Sequence, residues 1–115
     1  MDDSTVRAAL AAERVAILSR IDVLRDEFDS IVAASVDANA DDEHDPEGST
    51  IAFERAQVAA LLANARTSLE DLEHACARLD GGSYGSCERC GAPIAPDRLL
   101  ARPAARTCIG CAAGS

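Results

Sequence analysis

The stretch CERCGAPIAPDRLLARPAARTCIGC, residues 87 to 111, places one Cys-x-x-Cys pair seventeen residues ahead of another. That interval is long enough for the chain to return the second pair beside the first and set four thiolates at the corners of a tetrahedron. Four cysteines are a common structural zinc set. Cys87, Cys90, Cys108 and Cys111 are therefore the candidate ligands of one structural Zn2+. Four thiolates leave no coordination position for water or substrate, which argues against a hydrolytic zinc enzyme and, with no other catalytic constellation present, against an enzyme at all. Rubredoxin-like iron would use the same donors, but nothing else in the chain suggests an electron carrier. Thioredoxin-like chemistry lacks the βαβ pattern that it needs. Gly91 permits a tight turn after the first knuckle, and Arg89 with its basic neighbours offsets the formal negative charge of the site.

Upstream of GGSYG at residues 81–85 the pattern changes to helix. Leu10, Arg14, Ile17, Ile21, Leu24, Phe28, Ile31 and Ser35 recur at alternating steps of three and four, and so do Ile51, Arg55, Val58, Leu62, Ala65, Leu69, Leu72, Cys76 and Leu79. Each series is a heptad-like seam, and neither helix contains an interior Pro or Gly. Each stripe is too narrow for a globular core, so the simplest burial is one stripe against the other. The expected fold is mainly α: a long antiparallel coiled-coil helical hairpin over residues 1–80, with an acidic tip at 37–48, and a small C-terminal zinc-ribbon-like module with four cysteine ligands over 81–115. Helices of this length predict a rod of about 45 to 50 Å. Cys76, on the second seam, reads as a small buried hydrophobe. His74 lies just off that seam and is expected to face solvent. Phe53 is off the seam near the tip; it either folds back over the turn, the favoured reading, or is an exposed partner contact.

The expected tip carries ADDEHDPEGS, residues 40 to 49, with five carboxylates and no lysine or arginine. Capping accounts for part of this: Asp45 suits an N-cap with Pro46 at the first helical position and Glu47 in the first turn, although Ser49 or Thr50 would also serve. The remaining acids are either a solubilising run or a surface for a basic partner, and Asp41, Asp42, Asp45 and Glu47 are the candidate contacts. His44 lies among them and is expected to be exposed.

Charge is unevenly distributed. Residues 1–50 hold thirteen acids against four arginines, 51–80 five against three, and 81–115 two against four, giving a net charge of −9. All eleven basic residues are arginine, scattered among more numerous acids, a poor match to the basic surface that direct DNA binding requires. The opening MDDSTVRAAL lacks the features of a secretory signal, and no apolar run approaches a membrane span, so a cytoplasmic location without membrane attachment is expected.

Taken together, the hairpin, GGSYGSCERCG and RLLARPAARTCIGC resemble the DksA/TraR family of zinc-finger transcription factors, specifically over Tyr84 to Cys111 and more loosely over the hairpin and its DPEG tip. The resemblance implies a regulator that binds bacterial RNA polymerase, inserting the acidic coiled-coil tip through the secondary channel without direct DNA binding. The family tip pattern is Asp-x-x-Asp-x-Ala; with its first Asp at Asp45, Gly48 takes the second acidic place and Thr50 the Ala place, so only Asp45 carries over. Three basic residues of the family's guanosine tetraphosphate (ppGpp) site correspond to Asp71, Arg102 and Ala112. Only Arg102 remains as a nucleotide or partner contact, and weak or no dependence on ppGpp is expected. A monomer is expected. A zinc-ribbon coiled-coil adaptor for protein–protein assembly is the alternative reading, with steep salt-dependent duplex affinity as the mark of a third, DNA-binding class.

Overall fold

The computed structural model describes residues 2–39 and 46–114, without the side chains of 37–39 and 46–48. The fold is mainly α, a long antiparallel helical hairpin followed by a small cysteine-rich module. Helix α1 spans Asp3–Asn39 and α2 spans Pro46–Gly81; two short helices follow, α3 at Pro96–Ala101 and α4 at Ile109–Ala113. Among the described residues there is no strand, only an isolated antiparallel bridge between Ser86 and Pro93.

Local signals account for the helix ends. The Asp2 carboxylate accepts the Thr5 amide at 2.8 Å and so caps the first turn of α1, an interaction that also holds its own pKa below the usual carboxylate value. The start of α2 at Pro46 suits a residue with no amide hydrogen to donate and a backbone angle already helical. Its far end closes through Gly82, whose φ of 83° lets the Ser83 amide turn back to the Arg78 carbonyl at 2.9 Å.

The chain forms two compact units, Met1–Ala16 with Ser68–Ser115, and Ile17–Thr67. In the second, Ile21 and Leu24 from α1 and Val58, Leu62 and Ala65 from α2 are buried, while Ile17, Phe28, Ile31 and Ile51 at neighbouring seam positions are half-buried. In the first, Val6 and Leu10 are buried with Leu72, Ala75 and Leu79, and Leu10 and Leu72 retain only 1% of their surface. Each fully buried leucine contributes about 1.5–3 kcal/mol of apolar transfer.

The expected seams hold at most positions, shift at two and break at Arg55, which is exposed. On α1 the half-buried place between Leu10 and Ile17 is taken by Glu13, and Arg14 points outward, reaching 3.9 Å from Glu73. Steps of three and four run equally well through Glu13 or Arg14, so spacing alone does not choose between them, and the shorter side chain takes the inward place. On α2 Ala75 is buried and Cys76 only half-buried, so the small methyl takes the closest approach. Phe53 does not fold over the turn: it is 70% exposed. No helix of the described residues is long and apolar enough to cross a membrane.

Candidate metal centre

The segment after α2 has few large apolar residues, and it organises them around its cysteines. Cys87, Ile94 and Leu99 are buried together, with Tyr84, Cys108 and Cys111 packed against them. Leu99 comes from α3, which begins at Pro96, and Arg98 on the same helix donates from Nε to the Thr107 carbonyl at 2.9 Å, fixing the residue before the second knuckle. Tyr84 donates its hydroxyl to the Pro103 carbonyl at 2.7 Å and so ties the entry of the module to its middle. Burial is the main cause that raises the Tyr84 pKa, with the negative charge of Glu13 adding to it.

The first knuckle is a hairpin. Ile94 donates to the Gly85 carbonyl at 2.7 Å, Cys87 to Ala92 at 2.8 Å, and Gly91 closes the turn onto Cys87 at 2.9 Å with φ at 77°. Only glycine adopts that angle without strain. A backbone-to-backbone hydrogen bond from the Glu88 amide to the Arg106 carbonyl, 2.9 Å, joins the two knuckles.

These constraints bring together all four cysteines expected from the spacing: their Sγ atoms lie within 4.8 Å of one another, and Cys90 Sγ is 3.8 Å from Cys108 Sγ. With Zn–S bonds of about 2.3 Å, a regular tetrahedron has sulfur–sulfur edges of about 3.8 Å. The donor set and its size therefore fit a single zinc ion. Amide groups prepare the sulfurs for it: the Cys90 amide first, then that of Cys108, holds the Cys87 thiol down to about 6, and the Cys111 amide lowers Cys108. Cys111 goes the other way, pushed up to about 12 by the thiols of Cys108, Cys87 and Cys90. A divalent cation among four sulfurs favours the thiolate at each.

Residues 82–115 match the family model of the prokaryotic dksA/traR C4-type zinc finger. The module is similar to the DksA/TraR zinc finger over its whole length. Over 97% of its length the chain also aligns with 81% of the transcription factor DksA2 from Pseudomonas aeruginosa, at a TM-score of 0.78 and 25% identity. Among curated relatives, it is 42% identical over 45 residues to an uncharacterized protein of Aquifex aeolicus, a stretch covering 39% of this chain and 31% of that one. It is 38% identical over 69 residues to YteA of Bacillus subtilis, covering 60% and 29%. A third match, YlyA of the same bacterium, is 36% identical over 56 residues, covering 49% and 45%. The matched stretches thus span less than half the length of these relatives.

Of the other expected site residues, Asp41, Asp42 and Asp45 lie outside the described residues, as does His44, and Glu47 is placed in the first turn of α2 without a described side chain. Arg102 is exposed at the end of α3, beside a shallow cavity of about 340 Å³ lined also by Arg98, Ala101 and Ile109. Asp71 bonds Arg106. His74 does not simply face solvent: it is half-buried and bonded to Glu88 on the first knuckle, the main cause of that carboxyl's lowered pKa. Sequence reading missed the partners of Asp71 and His74. The available signal was their spacing from Arg78, in steps of three and four on one helix face, opposite a module whose charged residues Glu88 and Arg106 flank cysteines.

Proposed function

We propose that this chain is a non-enzymatic transcription regulator that docks on bacterial RNA polymerase and works by placing the acidic end of its helical hairpin in the secondary channel, without contacting promoter DNA. The observation that carries this reading is the alignment of nearly the whole chain, hairpin included, with the transcription factor DksA2. The zinc-finger match supports it independently. The five carboxylates of residues 40–49 supply the chemistry: an anionic tip is attracted into a cationic channel by the same field that concentrates charged ligands there. The finger has a closed set of four cysteines and serves as a mount rather than a catalyst. Asp45 is the residue assigned to the tip contact, with Asp41, Asp42 and Glu47 contributing charge. An acid, Asp71, stands where the resemblance implies a basic residue and is already engaged by Arg106, so the regulator acts with little help from guanosine tetraphosphate.

The test is co-purification with RNA polymerase and transcription in vitro, comparing the native chain with Asp45→Asn and Asp45→Ala. The expected result is retained zinc and fold with an altered transcriptional effect. Normal binding together with an unchanged effect in both variants would contradict the tip mechanism, and loss of native binding would contradict the reading as a whole.

A further inference from the structure

A backbone-to-backbone hydrogen bond from Glu88 to Arg106 joins the two knuckles of the metal site, and the side chains of those same two residues both reach α2. Arg106 donates from Nε and Nη2 to one Asp71 carboxylate oxygen at 2.9 and 2.8 Å. Glu88 Oε1 meets His74 Nε2 and lies 3.6 Å from Arg78 Nη1. Arg78 adds two further bonds from Nη2, to the Ser83 carbonyl at 2.8 Å and to the Ser86 carbonyl at 2.7 Å, the latter immediately before the first ligand. Asp71, His74 and Arg78 stand at intervals of three and four, one stripe along a rigid helix. One end of that stripe holds the second knuckle through Arg106, and the other holds the first through Glu88 and Ser86.

We propose that Asp71, His74 and Arg78 are positioning residues for the zinc site: α2 acts as a ruler that sets the separation of the two Cys-x-x-Cys knuckles. None of the three touches a ligand sulfur; they act through the peptide groups that carry the ligands. Partly exposed ion pairs add little to stability by themselves, so a network of this kind is judged by what it orients. A module whose own apolar core is Cys87, Ile94 and Leu99 has few other means of fixing the geometry of two loops.

The experiment measures the zinc dissociation constant of the full chain by competition with a chromophoric chelator, together with the rate of zinc release into excess chelator. Asp71→Ala and Arg106→Ala are each expected to weaken zinc binding by about 10- to 100-fold, the range for residues that orient metal ligands. The charge-exchanged double variant, Asp71→Arg with Arg106→Asp, is expected to return the affinity close to the native value. Arg106→Lys keeps the charge but loses the two-donor grip, and should fall between native and Arg106→Ala. Far-ultraviolet circular dichroism separates these effects from loss of the hairpin, since α1 and α2 should remain helical throughout. Native affinity in Asp71→Ala, Arg106→Ala and Arg106→Lys would overturn the proposal. So would a double variant that binds zinc as poorly as either single one.

Discussion

Replacing Glu13 by leucine should stabilise the protein. Glu13 occupies the α1 stripe at the spacing set by Val6, Leu10, Ile17 and Ile21, and its Oε2 atom is sealed from solvent with no hydrogen-bond partner among the described residues. An orphaned buried acceptor costs about 1–3 kcal/mol, and leucine removes that cost while extending the apolar stripe. A net gain of about 1–2 kcal/mol follows, allowing for imperfect packing of the branched side chain. For a domain of this size that corresponds to a rise in Tm of roughly 4 °C or more. Urea unfolding of the zinc-loaded chain, followed by circular dichroism, should show a higher midpoint at an unchanged slope. The same variant has an optical signature. Tyr84 is the sole tyrosine and the chain has no tryptophan, so near-ultraviolet absorbance reads its ionisation alone. Burial first and the Glu13 charge second raise this phenol above its ordinary 10.0, which means that its contribution to stability is present below pH 10.0 and lost as pH rises through the folded value. In Glu13→Leu the phenol should titrate at lower pH than in the native chain yet still above 10.0, because burial remains. An unchanged or lower urea midpoint would refute the reasoning about Glu13, and an unmoved Tyr84 titration would refute the electrostatic link.

Leu72→Ala, at one of the two most buried side chains, should destabilise the zinc-loaded protein by about 2–5 kcal/mol in urea unfolding. Gly91→Ala places a side chain in open space but in the left-handed backbone region, so it should cost about 1–2 kcal/mol from conformation alone, seen as weaker zinc retention under chelator challenge. Stripping the metal with chelator should collapse the amide dispersion of residues 82–114 in NMR spectra, since structural zinc contributes on the order of 10 kcal/mol to folding in small fingers, while helical signals from residues 17–67 persist. Cys108→Ser should reproduce the effect of chelation.

Much of this molecule is legible from its sequence because its two organising signals are periodic or exact in spacing. Ile17, Ile21, Leu24, Val58, Leu62 and Leu72 repeat with the helix and end up buried or half-buried on it. Two Cys-x-x-Cys pairs need only a turn and a return to meet, and they do meet. Two of the misreadings share a cause. Periodicity cannot separate neighbours one residue apart, so it chose Arg14 over Glu13 and Cys76 over Ala75; size at the closest approach decided the matter. Phe53 is apolar, yet its helical position turns it outward. Pairings such as Asp71 with Arg106 and His74 with Glu88 join residues far apart in the chain. Charge alone offers many equivalent partners, and only the path of the finger back along α2 selects among them.

The central claim is that the acidic end of the hairpin enters RNA polymerase, and a photo-crosslinker at residue 45 of the zinc-loaded chain tests it most directly. Crosslinks to the walls of the polymerase secondary channel, suppressed by another occupant of that channel, are the predicted result. Crosslinks only to a second copy of this chain, to DNA, or to a surface of the polymerase away from the channel would contradict the account.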